Sequence, residues 1–366
     1  MSRLPKGKVM VLVGTPKGAF IFRSDARRKN WAVEGPLFKG LTVHHFTLDP
    51  RDRETLFAAT SSEWWGCDIQ RSRDGGRKWR RTKSGVRYEP DSGLSVKSVW
   101  HIRPGAAEEP KTVYAGVDPA GLFRSDDSGE NWSEVKALNR HETRSRWNPG
   151  KAGMILHSIV PDAHDTRKMH IAISAAGVFG TEDGGATWQP RNRGTRADFQ
   201  PDKYPELGQC VHKLLGSAEG TLLYQQNHCG MYRSNTAGQR WTDISKGLPS
   251  RFGFCLGLHP SDEKTLWLIP IEGSAFRVVP GGKLAVYRSR DSGRTWQRTA
   301  KGLPDRNAYL LVLREAMSVD RGDAAGVYFG TSTGQLFYTR DEGREWHLMA
   351  DFLPPIYSVE AFGPYD

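Results

Sequence analysis

The chain has little cysteine and no long apolar run. Its 366 residues include four cysteines, and their spacing matches neither a disulfide framework nor paired metal knuckles. No window approaches the roughly 20 consecutive apolar residues of a membrane span. The N-terminal apolar run Val9–Val13 is shorter than the core of about 7–15 residues that a secretory signal needs. We therefore expect reduced thiols, no membrane segment and a cytoplasmic location.

Acidic residues are outnumbered by basic ones. The 41 aspartates and glutamates face 52 lysines and arginines, which leaves a formal charge of +11 at pH 7. This balance favours anionic partners, such as acidic sugars, phosphorylated compounds or an acidic protein. Nucleic acid is a less favoured partner, because the basic residues are dispersed and no nucleic-acid-binding motif accompanies them.

What the chain does have is one short motif repeated along its length. The pattern Ser/Thr-x-Asp-x-Gly-x-x-Trp occurs in five intact copies, and two degenerate copies keep its first and last residues. The intact copies begin at Ser72, Ser125, Thr181, Ser289 and Thr339. The degenerate copies begin at Ser24 and Ser234. Their spacing of roughly 50 residues predicts seven similar units in one array.

Each copy is typical of a tight turn between two strands. A short Asp or Ser side chain bonds the backbone ahead of it, Gly accepts positive φ, and Trp buries a large surface where the next strand starts. The repeated aspartates therefore have a structural role in this interpretation: Asp74, Asp127, Asp183, Asp291 and Asp341. Four short strands per unit can be traced, which in the second unit are His44–Leu48, Thr55–Thr60, Asp68–Ser72 and Trp79–Thr82.

Seven units of four strands predict an all-β fold, a seven-bladed β-propeller. The first unit begins directly at its second strand, Lys8–Gly14, and segment 356–362 has the character of the missing innermost strand. We therefore expect the N- and C-terminal strands to close one blade, built from residues 356–366 and 1–35. Residues 1–366 would then form a single propeller domain.

The motif resembles the Asp-box, or bacterial neuraminidase repeat, over nearly the whole chain. The resemblance implies the fold but no single activity, since such repeats occur in sialidases, xyloglucanases, photosystem assembly factors and sorting receptors. Sialidases are six-bladed and carry an arginine motif near their start. The nearest string here, Phe276-Arg277-Val278-Val279-Pro280, has an extra residue and lies in blade six. No sialidase catalytic residue is therefore transferred to this chain.

Histidines recur near the inner strands and in the adjoining loops. Imidazoles around one cavity suit a divalent transition metal, and the chain resembles polysaccharide lyases on seven-bladed propellers, which use histidines with a metal on uronic acids. The candidate ligands are His44, His212, His228, His101 and His157, with Gln226, Cys210 or Cys229 as supplements. The alternative is that several of them bond backbone between blades, because successive strand side chains point to opposite faces.

Acid and base candidates lie in the loops on the same side. A glycosidase needs two facing carboxylates, and Glu63 and Glu272 are our candidates, with Tyr88 and Tyr204 as proton donors or bases. Glu360 is another carboxylate expected on this side. Trp64 and Trp65 beside Glu63 could stack on sugar rings; the alternative is that both pack between blades.

Basic and amide side chains in these loops are candidates for ligand binding. Arginines can clamp an anionic group through paired hydrogen bonds, although a solvated basic rim is the alternative. The candidates are Arg87, Arg144, Arg146 and Arg196, together with Gln226 and Asn227.

Together these features predict a glycoside-hydrolase-like or lyase-like enzyme. Its ligand would be a small anionic, carbohydrate-derived molecule at the top of the propeller pore, with a divalent transition metal as candidate cofactor. The alternative is a non-catalytic scaffold or assembly factor that binds an acidic protein segment.

Overall fold

The computed structural model describes residues 3–151 and 153–365. They form seven four-stranded antiparallel sheets, and the innermost strands of neighbouring sheets contact one another in a closed ring. The predicted all-β, seven-bladed β-propeller is therefore confirmed. No helix formed by the described residues is long and apolar enough to cross a membrane.

The strands are numbered along the chain. Blade one contains β1 (Lys8–Thr15), β2 (Gly18–Asp25) and β3 (Ala32–Leu37). Blade two contains β4 (Thr42–Leu48), β5 (Leu56–Ser62), β6 (Gly66–Ser72) and β7 (Arg80–Arg81). Blade three contains β8 (Ser98–Pro104), β9 (Val113–Asp118), β10 (Gly121–Ser125) and β11 (Ser133–Glu134). Blade four contains β12 (Ile155–Pro161), β13 (Met169–Ser174), β14 (Gly177–Thr181) and β15 (Gln189–Pro190).

The remaining strands complete the ring. Blade five contains β16 (Val211–Gly216), β17 (Leu223–Asn227), β18 (Gly230–Ser234) and β19 (Thr242–Asp243). Blade six contains β20 (Gly253–Leu258), β21 (Leu266–Pro270), β22 (Val286–Ser289) and β23 (Gln297–Thr299). Blade seven contains β24 (Met317–Val319), β25 (Val327–Gly330), β26 (Leu336–Thr339) and β27 (Trp346–Ala350), and β28 (Ser358–Phe362) returns to blade one. Short helices occur in the connections: α1 (Lys136–Asn139) and 3-10 turns at Pro90–Ser92, Arg144–Arg146 and Pro280–Gly282.

The two chain ends close the ring as the sequence predicted. Strand β28 pairs antiparallel with β1, from Met10 opposite Phe362 to Gly14 opposite Ser358. A buried ion pair adds to this closure, because Arg28 Nη1 contacts both carboxylate oxygens of Asp320 at 3.0 and 2.9 Å. Arg28 stands where the intact motif has Gly, so the degenerate first copy ties blade one to blade seven.

The repeated motif forms the expected turn between third and fourth strands. In blade two, Gly76 N donates to Ser72 Oγ at 2.9 Å, and Lys78 N donates to Asp74 Oδ1 at 2.9 Å. The same hydrogen bonds recur in the other intact copies, for example at Asp127 and Asp183. The seven turns lie at one end of the propeller, the turn face, and the loops that lead into the inner strands lie at the other, the loop face.

The inner strands share one irregularity. In blades two to five a β-bulge inserts an extra residue, which is His44, Trp100, His157 and His212 in turn, and β20 of blade six has a longer irregularity at Phe254 and Cys255. A bulge re-aims side chains and breaks strict alternation. Consecutive residues of these strands therefore both lie at the central channel of the propeller, one in a layer nearer the loop face and the next in a layer nearer the turn face.

Candidate functional site

The layer of the channel nearer the turn face contains a buried group of charges. Lys213 Nζ lies 2.7 Å from Glu315 Oε2, and His101 Nδ1 lies 3.3 Å from the same oxygen. His45 Nε2 lies between two carboxylates, 3.7 Å from Glu315 Oε2 and 3.4 Å from Glu360 Oε1. The side chain of Glu315 is 2% exposed, so this layer is an internal ion network.

The protonation of this turn-side layer follows from its contacts. Burial alone would raise the pKa of Glu315, but Lys213 and His101 outweigh burial and hold that pKa well below its usual value. Burial lowers the pKa of His101 to about 4, although Glu315 opposes the change. Glu315 is therefore a carboxylate paired to an ammonium, and His101 is neutral near pH 7.

The layer nearer the loop face is aromatic and imidazole-rich. The ring of His44 stacks between Trp100 and Tyr357, with centroids 5.1 and 5.9 Å away. The ring of His212 stacks on Phe254 at 4.6 Å. These rings come from five different blades, and the bulges place three of them.

Three potential metal-binding groups meet in this loop-side layer. Cys210 Sγ lies 3.5 Å from His212 Nε2, and His228 from the β17–β18 hairpin brings its own donor atom within 4.8 Å of both. His212 Nδ1 lies 2.6 Å from the carbonyl oxygen of Gly253. A carbonyl only accepts, so Nδ1 carries the proton and Nε2 keeps a lone pair that faces Cys210.

Two arginines adjoin the same layer. Arg314 is 7% exposed, and its guanidinium lies 5.8 Å from the ring of Trp100 and 6.0 Å from that of Phe254. Within residues 3–151 and 153–365 it donates no hydrogen bond that meets normal geometry, and Nη1 is buried without a partner. The guanidinium of Arg277 also lies over the ring of Phe254, 5.3 Å from its centroid. Burial lowers the pKa of His212 well below its usual value, and Arg314 lowers it further.

The structure separates the predicted histidines into four environments. His212 and His228 lie together with Cys210, as expected for a shared site, whereas His101 lies in the turn-side layer beside His45. His44 stacks on aromatic rings and contacts Ser61 Oγ through Nε2 at 3.1 Å. His157 is fully buried and donates from Nε2 to the carbonyl of Val211, which is the backbone role that the alternative interpretation described.

The predicted acid and base residues do not come together. Glu63 is exposed in the β5–β6 hairpin, and Glu272 Oε1 accepts a hydrogen bond from Gly281 N within its own loop. Tyr88 is buried and its hydroxyl donates to Pro119 O at 2.6 Å, which leaves it no proton to offer a ligand in this arrangement. Tyr204 is exposed at the surface.

The tryptophan pair lies on the loop face in full contact with solvent. Trp64 is 86% exposed and Trp65 is 79% exposed. The alternative that both pack between blades is therefore wrong. Their position at the tip of a hairpin leaves both ring faces available for stacking.

The predicted ligand-binding residues have mixed roles. Arg87 and Arg146 are exposed, Arg196 pairs with Asp198, and Arg144 Nη1 donates to Ala120 O at 2.7 Å. Gln226 Nε2 donates to three carbonyls of its surroundings, and Asn227 Oδ1 accepts from Cys229 N. Both amides are thus engaged in shaping the hairpin that carries His228.

The sequence interpretation did not identify three residues that lie in the two channel layers: Lys213, Arg314 and Glu315. Lys213 directly follows His212, and the pair Arg314-Glu315 interrupts the otherwise apolar stretch 308–317. Charges inside an apolar stretch are a signal of buried, paired groups. That signal was present, but Lys213 and Glu315, which pair with each other, come from different blades.

No protein-family model matches the chain. A xyloglucanase from Paenibacillus is 25% identical over 291 residues, which are 71% of this chain and 26% of that protein. A xyloglucanase from Acetivibrio thermocellus is 22% identical over 278 residues, 68% of this chain and 31% of that protein. The chain therefore spans about a quarter to a third of the curated relatives that it matches.

A solved structure agrees with this similarity at the level of the fold. The GH74 xyloglucanase from Xanthomonas campestris superposes with a TM-score of 0.67 at 18% identity, over 98% of this chain and 52% of that one. The chain is thus a seven-bladed propeller similar to glycoside hydrolases of the xyloglucanase type. The resemblance to the Asp-box repeat remains one of motif and turn geometry.

Proposed function

We propose that this protein is a glycoside-hydrolase-like or lyase-like enzyme that acts on an anionic, carbohydrate-derived ligand in the loop-side layer of the channel. The similarity to xyloglucanases supports carbohydrate chemistry on this scaffold. The observation that carries the proposal is Arg314, a buried guanidinium without a carboxylate partner among the described residues.

A buried and unpaired charge is costly to the folded protein. Leaving one charged donor unsatisfied costs at least about 1–3 kcal/mol, and evolution retains such groups mainly where a ligand completes them. A carboxylate or another planar anion fits the guanidinium fork through two parallel hydrogen bonds. The rings of Trp100 and Phe254, which flank Arg314, provide apolar surface for a sugar ring.

The surrounding groups favour proton transfer by imidazole over a pair of carboxylates. Of the carboxylates at the channel, Glu315 is committed to Lys213, and Glu360 lies beside His45 in the turn-side layer. Burial lowers the pKa of His44 to about 4, so its ring is neutral near pH 7. Its Nδ1 is buried without a partner among the described residues, and it can accept a proton in the tautomer in which Nε2 donates to Ser61 Oγ. Proton abstraction next to a uronate carboxylate, as in a lyase, fits this set of groups.

Calorimetric titration with galacturonate and glucuronate oligosaccharides tests the proposal, with the matching neutral oligosaccharides as comparison. We expect the acidic sugars alone to bind, and Arg314→Met to weaken binding about 10- to 150-fold, as loss of a charge-assisted hydrogen bond of about 1.5–3 kcal/mol predicts. Arg294→Met, at an exposed arginine in the motif turn of blade six on the turn face, is the matched control.

Two results would contradict the proposal. Equal binding of acidic and neutral sugars would remove the role of Arg314. Preferential binding of a poly-glutamate peptide, lost on reversal of Arg144 and Arg146 to Glu, would favour the scaffold hypothesis.

Once an oligosaccharide that binds is known, the product of its cleavage identifies the reaction. An unsaturated product would identify elimination, and a new reducing end alone would identify hydrolysis.

A further inference from the structure

We propose that Cys210, His212 and His228 form a binding site for a divalent metal ion of the zinc class. The three residues come from the start of β16 and the β17–β18 hairpin of blade five. Their candidate ligand atoms lie within 4.8 Å of one another. One thiol and two imidazoles form the soft nitrogen and sulfur set that selects zinc over magnesium or calcium.

The distance between two of the donors matches a metal-bound geometry. With a Zn–S bond of about 2.3 Å and a Zn–N bond of about 2.05 Å, tetrahedral coordination places sulfur and nitrogen about 3.6 Å apart. Cys210 Sγ and His212 Nε2 are 3.5 Å apart. The pair therefore needs almost no movement to hold a metal ion.

A hydrogen bond to the backbone fixes His212 in the tautomer that a metal requires. Its Nδ1–H donates to Gly253 O, and its ring is held by Phe254, so the lone pair of Nε2 is directed at the site. Metal-binding histidines usually donate their other N–H to a carbonyl or carboxylate in this way. His228 is positioned by ring contacts with Phe199 and Phe252, at 5.0 and 4.9 Å.

Proton positions and charge exclude the other cluster of potential metal ligands in the channel. His45, His101 and Glu315 also bring three donor atoms within 4.8 Å. However, His45 Nδ1 accepts a hydrogen bond from Ile102 N, so in the neutral ring Nε2 carries the proton and has no lone pair for a metal. The ammonium of Lys213 lies 2.7 Å from the Glu315 carboxylate and repels a cation there.

The neighbouring arginine is compatible with the metal. Burial raises the pKa of the Cys210 thiol, and Arg314, which opposes a dication, counteracts part of that rise; metal binding itself converts the thiol to the thiolate. Three protein ligands leave one coordination position open, which is the arrangement of catalytic zinc sites. The site goes beyond the proposed function, because metal binding needs no sugar.

Titration of the untagged, chelator-treated full chain with Zn²⁺ alone tests the site. We expect one equivalent to bind, and Cys210→Ser or His212→Ala to weaken binding by more than about 100-fold, since outer-shell changes alone cost 10- to 100-fold. Cys67→Ser is the matched control, because Cys67 lies in blade two and belongs to no such cluster in the part of the chain that the structure describes. Co²⁺ should give a thiolate-to-metal absorption band that Cys210→Ser abolishes and Cys67→Ser keeps.

Several outcomes would overturn the site. They are the absence of zinc uptake at micromolar concentrations, binding that Cys210→Ser and His212→Ala leave unchanged, and binding lost only in His45→Ala or His101→Ala. Rapid alkylation of Cys210 that zinc does not slow would point to a thiol nucleophile instead. If His212→Ala fails to fold, the near-isosteric Cys210→Ser and the half-buried His228→Ala still decide the question. Failure of sugar binding at Arg314 leaves this result unaffected, so the two proposals fail independently.

Discussion

The two layers of the channel are built from neighbouring residues of the same segments, yet they neutralise charge in different ways. His212 and Lys213 are adjacent, as are Arg314 and Glu315. In the turn-side layer Lys213 and Glu315 pair with each other at 2.7 Å. In the loop-side layer Arg314 lies near the rings of Trp100 and Phe254 and has no carboxylate partner within residues 3–151 and 153–365. Under the proposed function, the Lys213–Glu315 ion pair holds the channel together, and the guanidinium of Arg314 is the group that we expect to contact a ligand.

The largest expected effect comes from breaking the satisfied layer. Lys213→Met leaves Glu315 buried without its counter-ion, and loss of one partner of a buried pair costs about 3–5 kcal/mol. We expect the free energy of unfolding, measured by denaturant titration, to fall by that amount. The double variant Lys213→Met, Glu315→Met removes both charges, so most of the lost free energy of unfolding should be regained. A single variant within about 0.5 kcal/mol of the parent would mean that the ion pair is solvated.

For each buried histidine, a comparable effect is expected from acid. Burial lowers the pKa of His44 and of His101 to about 4, below the unfolded value of 6.5. Between these values the unfolded chain binds protons that the native protein excludes, so stability falls as pH falls from about 6.5 to 4, by up to about 1.4 kcal/mol per pH unit for each such histidine.

One variant from each environment sharpens the acid prediction. His44→Phe keeps the stacking on Trp100 but cannot be protonated, so its unfolding free energy should depend less steeply on pH. His164→Gln, an exposed histidine, should keep the parent slope. Identical slopes in all three proteins would show that His44 is accessible to protons in the native state.

The smallest effect on stability is expected at the rim. Because Trp64 and Trp65 are exposed, replacing both with Ala should change the unfolding free energy by no more than about 0.5 kcal/mol. If the pair stacks on an extended carbohydrate, the double variant should bind long acidic oligosaccharides more weakly and short ones unchanged. Equal loss for long and short ligands would place the pair outside the binding path.

The fold could be predicted from the sequence because the motif that indicates it is local and repeated. The eight-residue motif contains its own turn, and its seven copies count the blades. The closure by β28 followed from a unit that lacks its first strand, and the pairing with β1 confirms it.

The candidate site could be predicted only in part because it is assembled from segments that are distant in the sequence. Strict alternation predicts that neighbours such as His212 and Lys213 face opposite ways, whereas the bulge in β16 brings both into the channel region. Lys213 belongs to blade five and Glu315 to blade seven, so no local sequence pattern indicates that they pair. The grouping of His212 and His228 was expected, but metal binding there stays a prediction.

One measurement tests the difference between the layers most directly: the unfolding free energy of Arg314→Met beside that of Lys213→Met, without ligand. Methionine keeps contact with Trp100 and Phe254 while it removes an unpaired charge, so Arg314→Met should be more stable than the parent by about 1–3 kcal/mol. Lys213→Met should be less stable by about 3–5 kcal/mol. If both variants are destabilised to a similar extent, Arg314 is a structural residue and the loop-side layer is not a ligand site.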